Sequence, residues 1–223
     1  MNVDYTNIAK KFSGTRGYTW PCVKNFLTMN DEIDKSKLTV FEAGCGNGRN
    51  LLEAISQHYL PENVYGNDIC EEFVNICKTD KGLVNINHAD ILNYISEYEE
   101  KYDLVMSIAV IHHLRTNEER LEAVCNIVRY MKPTENSKCM FTVWSYEKRD
   151  SKVQKKLEQG DNLVPWKNAK GKVENMRFYY VYNESMLNAF LKEFTTKMES
   201  EFDKTYTVNY YWEQQNWVVT IKK

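Results

Sequence analysis

The sequence predicts an α/β fold in which a parallel sheet is covered by helices on both faces. Three observations carry the prediction. Short apolar runs alternate with helix-like amphipathic runs from residue 38 to residue 147. Three of the chain's nine glycines crowd into "GCGNG" (44–48), between an apolar run and a helical one. Acids then close the next two apolar runs, at Asp68 and Asp90. Alternating strands and helices are the signature of a parallel sheet, and such sheets hold ligands at the carboxyl ends of their strands.

Each element follows from its own residues. "LTVFEA" (38–43) is the first predicted strand, and residues 50–58 form a helix beyond the glycines. "NVYGND" (63–68) is the second strand, followed by the helix "EEFVNICK". "GLVNINHAD" (82–90) is the third and "YDLVMSIAV" (102–110) the fourth, the most apolar of the set. Leu121, Val124, Cys125 and Val128 recur at helical spacing in a segment that ends at Pro133. "KCMFTVWSYE" (138–147) is the fifth strand. Residues 148–177 break the alternation with nine Lys/Arg against four Asp/Glu, and read as a basic excursion, part helix and part loop. "ESMLNAFLKEF" is a short amphipathic helix and "NWVVTIKK" a terminal strand. Residues 1–30 should form one or two helices, the second starting near Trp20-Pro21. The expected organisation is one domain: an N-terminal helical lid (1–30), a ligand-binding core (38–147), the basic insertion (148–177) and a C-terminal part (178–223).

Composition excludes several classes of function. Apolar residues make up 43% and charged residues 27% of 223, with a net charge of −2, so the chain is no general polyanion binder. Any nucleic-acid role must rest on a local patch or on a partner. The polar "MNVDYTNIAKKF" lacks a secretory leader's apolar stretch, and no run approaches membrane-span length. The expectation is a cytoplasmic protein off the membrane. Six scattered cysteines without a C-x-x-C pair, and only four histidines, signal neither a zinc site nor a disulfide framework. Reduced, buried thiols are expected instead.

A plain strand-to-helix turn needs one glycine; three suggest a backbone laid against a ligand. Gly44, Gly46 and Gly48 form G-x-G-x-G, where dinucleotide folds use G-x-G-x-x-G. With Glu42 just before the first glycine, the segment resembles motif I of the Rossmann-like, class I S-adenosylmethionine-dependent methyltransferases. That resemblance implies a mostly parallel seven-stranded sheet and S-adenosylmethionine as cofactor. It also implies that Asp68 holds the ribose hydroxyls, that Asp90 lies near the adenine amine, and that Ile91 covers the adenine face. Ser107 is assigned to the cofactor with them. Asp68 and Asp90 also admit a plainer reading, as caps of the helices that follow.

Further stretches narrow the resemblance. "FSGTRGYTWP" (12–21) and "SIAVIHH" (107–113) are similar to signatures of the tRNA wobble-uridine carboxymethyl methyltransferases. So, more loosely, are "VPWKN" (164–168), "FYYVYNESML" (178–187) and "YYWEQQNW" (210–217). The likeness therefore covers nearly the whole chain in order. It implies esterification of 5-carboxymethyluridine in the tRNA anticodon stem-loop, with a small zinc-binding activator protein as partner. Tyr18, Arg115 and Glu119 depart from the family's pattern.

The chemistry sets its own requirements. Methyl transfer from a sulfonium to a carboxylate is an in-line displacement, and a carboxylate of pKa about 4 needs no general base. The two charges annihilate, so a dry, orienting pocket suffices. Arg16 and His113, with His112 third, are the candidates to capture the carboxylate. One of the histidines may instead line the methionine moiety, and Arg16 has a bland reading as a surface ion-pair residue. Trp166 and Tyr179 are candidate stacking platforms for bases. Lys152, Lys155 and Lys156 share a helical face and are candidate phosphate contacts, or a solvated face. Two other readings compete: a small-molecule carboxylate or quinone-type methyltransferase, and a degenerate fold serving as a scaffold. Intact glycines and acids oppose the second.

Overall fold

Val40–Ala43, the strand that feeds the glycine cluster, is buried along its whole length and lies inside a seven-stranded sheet, third from one edge. The structure, a computed structural model, describes residues 9–14, 17–28, 33–147, 157–167 and 171–223. With β1 at Val40–Ala43, the next strands are β2 (Val64–Asp68), β3 (Asn85–His88), β4 (Leu104–Ile108) and β5 (Lys138–Trp144). The chain ends in β8 (Thr207–Glu213) and β9 (Asn216–Lys222), giving the order β3-β2-β1-β4-β5-β9-β8. The first five strands pair in parallel; β9 runs antiparallel to β5 and to β8. The path turns back between β1 and β4, and open α/β sheets bind ligands at such a reversal.

Strand alternation sends the two faces of the sheet into two cores. Val40, Leu104, Met106 and Met140 face one core, with Cys22, Val23, Leu51 and Ala54 from α2 (Pro21–Leu27) and α3 (Arg49–Ser56). Phe41, Val105, Phe141 and Val219 face the other. There they meet α5 (Asn117–Arg129) and α6 (Glu184–Phe202) through Val124, Val128, Leu187 and Phe194. Short α1 (Ala9–Gly14) precedes α2, and α4 (Glu71–Asn75) runs on into a π-helical turn at Ile76–Asp80.

Three expectations need correction. The insertion is no mixture of helix and loop from residue 160 onward: β6 (Gly160–Lys167) and β7 (Val173–Val181) form a separate antiparallel hairpin. Its inner face is Val164, Trp166, Arg177 and Tyr179, a polar-aromatic pattern that reads poorly as a strand. The proline at 165 is tolerable because a two-stranded ribbon leaves donors unpaired along both edges. The C-terminal helix is nineteen residues long, because buried Met198 continues the apolar stripe of Leu191 and Phe194 past a polar run. Finally, the sequence reading expects C-terminal strands in a seven-stranded sheet but locates only the last of them, and β8 is the one it does not place. Its alternate residues are exposed at the edge of the sheet, so its sequence "TVNYYWE" carries no apolar run.

The three departures from the family's pattern have local settings. Glu119 completes a capping box on α5: its carboxylate accepts from the Thr116 N–H at 3.1 Å, and Thr116 Oγ1 accepts from the Glu119 N–H at 3.1 Å. Arg115 lies with its guanidinium 5.2 Å from the centre of the Phe178 ring. Tyr18 is an exposed ring with Lys24 Nζ 5.4 Å above it.

Candidate cofactor and substrate site

The glycine turn leaves β1 and enters α3 with all three glycines in left-handed conformations. At Gly44 a side chain is excluded, since an added Cβ would lie 2.5 Å from Val110 Cγ2. At Gly48 it would lie 2.5 Å from Leu83 Cδ1 and 2.9 Å from Cys77 Sγ, so that glycine serves helix–sheet packing. The bare loop borders a cavity of about 380 Å³ at the carboxyl ends of β1 to β5.

One end of this cavity is acidic. Asp68 closes β2 with its carboxylate accepting from the Gly46 N–H and the Cys70 N–H, both at 2.8 Å. It therefore braces the glycine loop and the start of α4 together, while its remaining lone pairs face the cavity wall it lines. Burial pushes its pKa up to about 6, against the pull of those two N–H groups. Glu42 lies deeper. Its Oε1 accepts from Asn50 Nδ2 at 2.6 Å, and its Oε2 is buried without a partner. Burial pushes this carboxyl up to about 8, with Asn50 and Arg49 pulling it down. Asp90 closes the end of β3 and caps its own turn, its Oδ1 accepting from the Leu92 N–H at 3.0 Å. Ile91 and Phe73 line the same end.

The opposite end is aromatic. Trp144 and Tyr179 stack with ring centres 3.8 Å apart and planes 20° apart, and His112 stacks on Tyr179 at 5.2 Å. The Trp144 N–H donates to His112 Nδ1 at 3.2 Å. His113 Nδ1 lies 2.8 Å from the Phe178 carbonyl. A carbonyl only accepts, so Nδ1 carries the proton. Burial first, and the Arg177 cation after it, push the His113 pKa down to about 4 in spite of that bond.

Of the sequence candidates, the structure brings Glu42, Gly44, Gly46, Asp68, Asp90, Ile91, His112, His113 and Tyr179 to one cavity. Others fall elsewhere. Ser107 is buried within β4, its hydroxyl donating to the Ala43 carbonyl at 3.1 Å, which is a sheet contact rather than a cofactor contact. Gly48 stands behind the loop. His113 lines the cavity with its Nδ1 proton held by the Phe178 carbonyl, and burial pushes its pKa down to about 4. Tyr179 is buried in the wall, because Trp144 already occupies its face; it is no open platform for a base. Trp166 is half-buried in the hairpin under Arg177. Arg16, Lys152, Lys155 and Lys156 lie outside the described residues.

Sequence reasoning missed the contribution of the C-terminus. Gln214, Gln215 and Asn216, from the β8–β9 turn, line the mouth of the cavity with Trp20. Glu213 beside them accepts from the Cys22 N–H at 2.7 Å, satisfying one of the orphan donors at the start of α2. Asn47 of the glycine loop donates to Ser13 Oγ at 3.1 Å at the end of α1. The quoted string "EQQNW" was the available signal, but only the antiparallel return of β9 carries it to the sheet's ligand edge.

These residues fit S-adenosylmethionine. A buried, unbonded carboxylate oxygen at Glu42 and a side-chain-free loop suit a cationic amino-acid moiety, Asp68 suits two hydroxyls, and Ile91 and Phe73 suit a flat ring. Among the described residues, no three His, Cys, Asp or Glu side chains cluster as metal ligands.

Comparison with known proteins agrees. The methyltransferase domain family matches residues 41–135. A tRNA (carboxymethyluridine(34)-5-O)-methyltransferase of Arabidopsis thaliana is 37% identical over 150 residues, covering 67% of this chain and 33% of its own. A protein named as a methyltransferase in Encephalitozoon cuniculi is 30% identical over 183 residues, 80% of this chain and 78% of its own. The chain thus spans about a third of the plant relative's length. Among solved structures, the CcbJ methyltransferase of Streptomyces caelestis superposes with a TM-score of 0.67 at 9% identity, over 99% of this chain and 96% of its own. At that identity the likeness concerns the fold alone.

Proposed function

Since the chain belongs to the tRNA carboxymethyluridine methyltransferase family of class I S-adenosylmethionine-dependent methyltransferases, we propose that it esterifies the carboxylate of 5-carboxymethyluridine at the tRNA wobble position. The 37% identity to the plant enzyme of that name carries this reading. When bound, S-adenosylmethionine supplies a methyl group on a positively charged sulfur. Glu42, Gly44, Gly46, Asp68, Asp90 and Ile91 hold that cofactor in this reading.

The chain's own residues orient and exclude water. Trp144, Tyr179 and Leu114 make the substrate end apolar, which favours a reaction that annihilates charge. The carboxylate arrives ionised, so none of these residues has to take a proton. His113, neutral with its proton committed to Phe178, braces the wall against the β6–β7 hairpin. The tRNA anticodon stem-loop is the proposed substrate, and a small zinc-binding activator the proposed partner, the latter on family resemblance alone. No helix among the described residues is long and apolar enough to cross a membrane; a cytoplasmic location is part of the proposal.

Methyl transfer to tRNA bearing 5-carboxymethyluridine, against the same tRNA with an unmodified wobble uridine, tests the reading. Transfer to the carboxymethylated tRNA alone is expected. Equal labelling of the two would return the small-molecule and other-RNA readings.

A further inference from the structure

Among the described residues, Arg177 is a buried cation without an anion. It is only 7% exposed, and its Nε is buried with no hydrogen-bond partner. Among the described residues no carboxylate lies within ion-pair distance of it. This is an unusual state, since a buried guanidinium normally has an acid beside it and an isolated one destabilises the fold. Its position is nonetheless well fixed. The guanidinium carbon is 5.1 Å from the centre of the Trp166 ring and 5.2 Å from that of Tyr179. Contacts with two aromatic rings restrict the orientation of the fork.

The hairpin sets it beside the cavity wall, against the Tyr179 ring. In β7 the residues 177 and 179 share one face of the strand, and Tyr179 lines the cavity beside His113. His113 is tied to the same strand, its Nδ1 2.8 Å from the carbonyl of Phe178, the residue between them.

We propose that Arg177 receives the carboxylate of the substrate, its planar fork and the two flanking rings forming the acid-binding subsite. The assignment rests on the function proposed above. It gives the cation a partner that the described residues do not supply. The chemistry balances without a proton. A carboxylate oxygen forms the new C–O bond, the sulfur–methyl bond breaks, and its electron pair goes to sulfur. The product ester carries no charge, so Arg177 loses its ion pair as the bond forms and the site favours acid over ester.

That preference is the test. The chain is saturated with S-adenosylhomocysteine and titrated with anticodon stem-loop RNA carrying either 5-carboxymethyluridine or its methyl ester. Wild-type protein is expected to bind the acid roughly 10- to 100-fold more tightly. Arg177→Met should bring the ratio to about one while leaving ester affinity unchanged, which a merely structural loss would not do. Arg177→Lys keeps the charge, and with it the wild-type electrostatics of the fold, but should lose part of the ratio for want of the planar fork. Full retention of the ratio in Arg177→Met, or in Arg177→Lys if only that variant folds, overturns the assignment. Turnover of the wild type on carboxymethylated tRNA is measured alongside. Turnover with no acid preference overturns Arg177 alone; neither turnover nor preference overturns the proposed function and Arg177 with it.

Discussion

Glu42 keeps a carboxyl where water barely reaches it, one strand residue before the turn that should carry the cofactor. Burial raises its pKa from 4.5 to about 8, so the folded chain binds a proton there that the unfolded chain has released. A raised acid contributes stability that is fully present below the ordinary glutamate range. That contribution is lost as the pH climbs toward about 8, at roughly 1.4 kcal/mol per pH unit. Glu42→Gln keeps the acceptor for Asn50 and removes the titration. Urea unfolding at several values between pH 5 and 8.5 should show the variant gaining on the wild type as pH rises; parallel curves would put the titrating group elsewhere. The wild-type acid is retained, we infer, because a bound cation would draw the proton off it.

At the scale of an element, the β8–β9 turn is the most exceptional part of the chain. Gln214 and Gln215 have φ of 46° and 66°, the double positive-φ pattern of a tight hairpin turn that normally selects Asn-Gly. Side-chain-bearing residues in this region are strained, and strain of this kind gathers at functional sites. Both glutamines line the cavity mouth, which supplies the reason for keeping them. Gln215→Gly should therefore raise thermal stability by about 1 kcal/mol while weakening RNA binding or turnover. A variant that is stabilised with unaltered activity would show the strain to be idle. The adjacent Glu213–Cys22 bond means that this one turn also sets where α2 begins.

For the whole molecule, the cavity joins the ends of five strands, α3, α4 and the C-terminal hairpin, so ligand binding and global stability are linked. S-adenosylhomocysteine at a hundredfold excess over its Kd should stabilise the fold by about 2.7 kcal/mol, a rise in Tm of roughly 5–10 °C for a chain of this size. Asp68→Ala should abolish most of that rise, because it removes the proposed hydroxyl acceptor and also releases the Gly46 and Cys70 N–H groups. An undiminished rise would take Asp68 out of the cofactor site.

Alternation, glycine spacing and strand-ending acids were local signals, each contained in a few consecutive residues, and they determined the sheet's parallel half, the cofactor loop and the Glu42–Asp68–Asp90 edge. The segment that matches the methyltransferase domain family, residues 41–135, lies in that half as well. Only tertiary structure decided the rest. Whether His113 carries a charge depends on burial and on a carbonyl 65 positions away. Whether Tyr179 is an open platform depends on Trp144 lying across its face. That Arg177 has no acid beside it among the described residues is a statement about many chain segments at once. Those properties are sums over neighbours brought together by folding, and no run of consecutive residues contains them.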